Sequence, residues 1–161
     1  MERRQQAGLF DAPHLQAIHR YIFQDVFDWA GEFRTVNISK SGDSFAFHEF
    51  VRPSLHKTFD DLRSEHHLRG AAPARFANRA AHYLGEINAI HPFREGNGRA
   101  QREFIRQLAL RNGLIIDWKQ ISQDQMIEAS RRSLRVDNIG FEEILKSAVT
   151  FPDAAPASSS S

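Results

Sequence analysis

Apolar residues recur every three or four positions along most of the chain, and this spacing predicts helices. Asp11-Ala12-Pro13 reads as a helix start with proline in the first turn, and Leu15, Ile18, Ile22 and Val26 follow on one face. A second helix is expected over residues 50–62, where Leu55, Phe59 and Leu62 line up. Pro73 opens a third, with Phe76, Ala80, Leu84 and Ile87 as its stripe. It must end near His91, because Pro92 disfavours helix at the residue before it. A fourth spans about 98–112 and buries Phe104, Ile105 and Leu108, with Gly113 at its C-terminal cap. Ser122-Gln123-Asp124-Gln125 reads as a capping box and starts a fifth over 123–135. A sixth, over 141–149, carries Phe141, Ile144, Leu145 and Ala148.

The period changes between the first two helices. Residues 35–39 and 44–47 alternate around Lys40-Ser41-Gly42-Asp43, which suggests a β-hairpin. A two-stranded hairpin is marginal alone, so it must lean on the helices. The fold class expected is therefore all-α, a compact bundle of about six or more helices with one short hairpin. The length of 161 residues favours one domain, taken as residues 1–150. Residues 151–161, rich in Ala, Pro and Ser, read as a disordered tail.

Composition narrows the function classes. Twenty-one basic residues nearly cancel twenty acidic ones, leaving a net charge of +1. That balance gives no support to nucleic-acid binding, and Arg131, Arg132 and Arg135 read as a solvated face. With no cysteine, thiolate catalysis and Cys-ligated zinc are excluded. The first ten residues lack the apolar core of a signal peptide, and no apolar run approaches ~20 residues. The expected location is cytoplasmic, with no membrane partner.

The chemistry concentrates in His91-Pro92-Phe93-Arg94-Glu95-Gly96-Asn97-Gly98-Arg99-Ala100-Gln101-Arg102. A glycine-containing loop runs here into a helix, whose free N–H groups and positive dipole end suit an anion. Arg99 and Arg102, three apart, share a face and present two guanidinium forks to an oligophosphate. Glu95 offers a carboxylate for Mg²⁺, which is commonly held by one or two carboxylates plus phosphate oxygens. His91 sits just before the loop, and an imidazole with a pKa near 6.5 suits a general base. Each feature alone is more often structural than catalytic. Together, within twelve residues, they converge on one phosphate chain.

This segment resembles the Fic motif, HPFx(D/E)GNGRxxR, at every defined position. The resemblance runs from about residue 9 to 149. Ile18-His19 and Phe27-Asp28-Trp29-Ala30-Gly31-Glu32-Phe33-Arg34 look like the family's first helix and the approach to its flap, and residues 38–47 look like the flap itself. The resemblance implies a protein adenylyltransferase that moves AMP from ATP, its co-substrate, to a Ser, Thr or Tyr hydroxyl. His91 would be the base, and Glu95 would hold Mg²⁺. Gly96, Asn97 and Gly98 would form an anion hole, with Arg99 on the β-phosphate and Arg102 on the γ-phosphate. Phe93 would anchor the loop. The flap, with Ile38, Ser39, Lys40 and Phe45, would dock the target as an added strand.

Many relatives carry an inhibitory helix of pattern (S/T)xxxE(G/N), and this chain has none. The inhibitor is then expected on a separate small protein, which resembles stand-alone bacterial toxins paired with an antitoxin, or on a part of the chain outside this sequence. Related toxins act on DNA gyrase B or the topoisomerase IV ATPase subunit; others are delivered to a host cytosol and act on small GTPases. Transfer of UMP remains open. Phosphate transfer is disfavoured, because phosphorylating Doc-type relatives have Lys where Gly98 stands. An inactive nucleotide- or protein-binding module is the further alternative.

Overall fold

The computed structural model describes residues 8–152. Its elements in chain order are α1 (Ala12–Phe23), β1 (Ser39–Lys40), β2 (Asp43–Ser44), α2 (Val51–Ser64), α3 (Pro73–Ile90), α4 (Asn97–Arg111), β3 (Ile115–Ile116), α5 (Gln123–Arg135), α6 (Ile139–Ala148) and β4 (Val149–Thr150). The expectation of a disordered tail falls mainly on residues 153–161, which lie outside the described residues, as do residues 1–7.

α3 is the central post. Its 18 residues bury Phe76, Ala77, Ala80, Ala81, Tyr83, Leu84, Ile87 and Ile90, a stripe too wide for one neighbour. It packs against α2, α4, α5 and α6, while α1 closes over α4 and α2. Small alanines on this stripe let the helices approach, and Phe76, Phe104, Phe141 and Leu55 fill the space between them. The caps follow the sequence. The Asp11 side chain accepts from the His14 N–H at the start of α1, and Ser122 and Gln125 form a reciprocal capping box on α5.

Three expectations need correction. α1 stops at Phe23, and Val26 is exposed rather than continuing the stripe. The apolar signal there belongs to an aromatic cluster, in which Phe27 stacks on Trp29 at 4.3 Å. The hairpin is shorter than expected: Ser39 pairs with Ser44 and Lys40 with Asp43, so residues 35–38 lie outside the ladder. Its turn is Ser41-Gly42 alone, and Lys40 and Asp43 are strand residues. A second antiparallel pair, Ile115 with Thr150 and Ile116 with Val149, fastens the end of α6 to the segment after α4.

Candidate active site

The catalytic candidates meet where α3 ends and α4 begins. Pro92 keeps His91 out of the helical region, and His91 turns left-handed, with φ 50° and ψ 65°. Its N–H still bonds the Ile87 carbonyl at 2.8 Å. Its ring Nδ1 lies 3.1 Å from the Asn88 carbonyl oxygen. A carbonyl only accepts, so the proton sits on Nδ1 and the Nε2 lone pair is left free. The ring lies flat on Phe45, centroids 3.7 Å apart and planes 14° apart.

Burial pushes the His91 pKa down to about 4; Arg34 and Lys40 push the same way, while the Asn88 hydrogen bond opposes them. The imidazole is therefore neutral, the form a base requires, across the physiological range. For the free enzyme, kcat/KM is expected to show no loss near pH 6.5 as pH falls, with its acid limb closer to 4. Stability takes the same sign. The depressed value stabilises the fold above the unfolded pKa near 6.5, and that contribution disappears as pH falls through about 4. A pH series of initial rates, with thermal melts in the same buffers, checks both.

The loop between the two helices is held from inside. The buried Asn97 side chain accepts from the Phe93 N–H at 2.9 Å and donates to the Phe93 carbonyl at 2.7 Å. Asn97 thus contributes its side chain to the loop's frame, and only its backbone N–H is available to an anion. His19, fully buried, donates from Nε2 to the Glu95 carbonyl at 2.9 Å while its Nδ1 accepts from the Gly31 N–H. Its ring also stacks on Phe93 at 3.9 Å. Gly96 has φ +81°, and a Cβ there would meet the Phe23 ring at 2.4 Å, so glycine is required twice over. No side chain caps α4, whose first residues line the site's cavity.

The charges around this opening are largely of one sign. Arg99 is exposed and lies over the Phe23 ring at 5.1 Å. Arg102 is half-buried, and burial and then neighbouring Arg99 push its pKa down. Neither arginine has a carboxylate partner among the described ion pairs. Two close guanidinium groups without a counter-charge are an unfavourable pair unless an anion sits between or beside them. A Cβ on Gly98 would lie 3.1 Å from Arg102 Nη1, so glycine leaves that guanidinium its room. Glu95 is an exposed carboxylate beside the loop. No cluster of three or more His, Asp or Glu stands ready to hold a metal among the described residues. A single carboxylate fits Mg²⁺ only if phosphate oxygens and water complete the shell, which is how Mg²⁺ is commonly bound.

One cavity of about 1010 Å³ gathers these parts: His91, Glu95, the Gly96-Asn97-Gly98 backbone, Arg99, Arg102, and the flap residues Ile38, Ser39, Lys40 and Phe45. The residues expected to bind nucleotide, metal and target thus line a single space, while Phe93 lies behind it in the core. The cavity's far wall is α5 with Leu84, Phe141 and Trp118. β2 is tied to α5 by Arg135, which grips Asp43 at 2.9 and 3.2 Å. The expected solvated face therefore has a structural job: Arg135 steadies the flap, and Arg132 pairs with Asp137 at 2.8 Å. Sequence reasoning assigned no role to His19, Arg34 or Gln101. Their partners are backbone carbonyls and cavity space, which leave no mark in residue spacing.

Residues 9–109 match the model of the Fic/DOC family. The chain belongs to the Fic/DOC family. It is 44% identical over 127 residues to protein adenylyltransferase VbhT of Bartonella schoenbuchensis, covering 79% of this chain but 27% of that protein. A probable protein adenylyltransferase Fic of Salmonella typhimurium is 38% identical over 138 residues, covering 86% of this chain and 69% of the relative. The fold superposes with TM-score 0.85 on the crystal structure of BepC, a VirB-translocated effector of Bartonella tribocorum with bound AMPPNP, at 25% identity. That match covers 88% of this Fic/DOC chain and 75% of BepC.

Proposed function

We propose that this chain is a protein adenylyltransferase, transferring AMP from ATP to a hydroxyl side chain of a target protein. The observation that carries the reading is the convergence on one cavity of a neutral imidazole, an uncapped helix start and two arginines lacking a counter-charge. The relatives named as adenylyltransferases and the AMPPNP in BepC support ATP as donor.

The residues divide the work as follows. His91 Nε2 takes the proton of the target hydroxyl. Its oxygen forms a bond to the α-phosphorus, and the bond from that phosphorus to the bridging oxygen of the leaving pyrophosphate breaks. The backbone N–H groups at Gly96, Asn97 and Gly98 hold the phosphate chain, with Arg99 toward the β-phosphate and Arg102 toward the γ-phosphate. Such chemistry depends mainly on positioning and charge stabilisation. Glu95 would hold Mg²⁺, which would further neutralise the phosphate charge. The hairpin holds the target: its strands are two residues long, and β2 is tethered to α5. Backbone pairing along the flap would set the hydroxyl in register while demanding little of the flanking side chains.

The finer reading is a bacterial toxin restrained by a separate antitoxin, acting on a type II topoisomerase ATPase subunit in the cytoplasm. Residues 1–161 contain no (S/T)xxxE(G/N) pattern, which fits an inhibitor supplied either by a separate protein or by a segment outside this sequence. Likeness to a translocated effector supports delivery to a host cytosol as the alternative. ATP labelled at the α-phosphate, run beside ATP labelled at the γ-phosphate with Mg²⁺ and bacterial lysate, tests the reaction. A protein band labelled only from the α-position, and lost in excess EDTA, is expected. Label only from the γ-position would mean phosphate transfer, and undiminished labelling in EDTA would remove the Glu95–Mg²⁺ assignment.

A further inference from the structure

Arg34 is the most buried charge in the described structure, 3% exposed, and it has no carboxylate partner. Its guanidinium donates instead to four backbone carbonyls. Nε reaches His91 O at 2.7 Å, Nη1 reaches Val36 O at 2.8 Å, and Nη2 reaches Ile90 O at 3.0 Å and also Ala46 O. Its own N–H donates to Pro92 O at 2.9 Å. Burying a charge this deeply is costly unless its donors are satisfied, and here two carbonyls at the negative end of the α3 dipole and two beside the hairpin satisfy them.

The positions of those acceptors matter more than their number. Ile90, His91 and Pro92 are the turn that throws His91 into its left-handed conformation. Val36 and Ala46 lie just outside the hairpin on either side. Ala46 directly follows Phe45, the ring stacked on the His91 imidazole. One planar fork therefore grips both halves of that stack through the backbone. A second bond, from the Ala46 N–H to Ala89 O at 3.2 Å, runs parallel to it.

We propose that Arg34 is a positioning residue that fixes the general base and the flap in one frame, so that the His91 imidazole and a docked target strand meet in register. The proposal rests on the reading of His91 as base. Arg34 does not line the cavity. Its geometry needs a planar fork with donors on several edges, and a lysine ammonium, a point charge with three donors, cannot span both halves.

The test compares the full chain with Arg34→Lys and His91→Ala. Three quantities are read: labelling rate of lysate protein from α-labelled ATP at saturating ATP, affinity for AMPPNP, and the NMR resonance of His91 Hε1, which senses the ring current of stacked Phe45. Arg34→Lys is expected to bind AMPPNP as wild type does, to shift the Hε1 resonance as the stack loosens, and to label roughly 10- to 100-fold more slowly. A wild-type rate, or a slow rate with an unmoved resonance, overturns the proposal. If Arg34→Lys melts below assay temperature, Phe45→Leu replaces it, since this keeps Arg34 and removes the stack. A wild-type rate in Phe45→Leu would equally overturn the frame. Wild-type labelling by His91→Ala would instead sink the base assignment, and it is separable because the resonance shift needs no turnover.

Discussion

Replacing His91 with alanine is expected to lower AMP transfer by about 10²- to 10⁴-fold, the range a positioned general base contributes. Nucleotide binding should survive. The groups assigned to the phosphates are the α4 start, Arg99 and Arg102, and none of them hydrogen-bonds the imidazole. The fold should survive as well, with a modest loss. His91 holds φ 50°, strained for histidine and alanine alike, so the loss comes mainly from removing the stack on Phe45. The low pKa of His91 has a cause that the substrate changes. Burial and nearby cations depress it in the free protein, and an ATP phosphate chain brings negative charge that raises it again. The base is then neutral before the hydroxyl arrives and a better proton acceptor once ATP is bound. Two measurements check the prediction: labelling from α-labelled ATP, and growth of bacteria expressing the chain without a partner protein. Growth arrest by wild type with relief in His91→Ala is expected. Equal arrest by the mutant would mean that toxicity does not arise from transfer.

Much of this site was legible because its parts are close in sequence. His91, Glu95, the glycines and both arginines lie within twelve residues, and the loop-to-helix step that aligns them is written in Pro92, Gly96 and Gly98. Helix positions were legible for the same reason: caps such as Ser122 with Gln125, and stripes such as Phe76 to Ile87, are local. The errors came where the deciding contact is distant. Val26 is the exception: it keeps helical spacing, yet the chain leaves α1 at Phe23, where the neighbouring rings of Phe23, Phe27 and Trp29 pack together. The β3–β4 pair is two residues on each side, too short to alternate, and its partners are more than thirty positions apart. Arg34 was visible only as part of a resembling segment. Nothing local shows that its side chain reaches residues 36, 46, 90 and 91.

Shortening Phe93 to alanine tests whether the loop's anchor serves the site as well as the core. Phe93 is 1% exposed, stacks on His19 at 3.9 Å and meets Phe33 at 5.6 Å. Deleting a buried phenyl ring costs about 3–5 kcal/mol, a large part of a stability of roughly 5–15 kcal/mol. For a chain of this size the melting temperature should fall by about 6–20 °C. The backbone of Phe93 is clasped by Asn97, and the ring holding His19 in place is the one removed, so the Glu95 carbonyl loses a well-oriented donor. The phosphate loop should therefore loosen more than the rest of the fold. Phe59→Ala is the matched control, because Phe59 is 5% exposed and packs on Phe104 without lining the cavity. Both variants should lose comparable stability, but only Phe93→Ala should lose AMPPNP affinity as well, measured below both melting temperatures. If the two bind AMPPNP equally well, Phe93 is a core residue alone, and the loop's geometry is held by Asn97 and His19 without it.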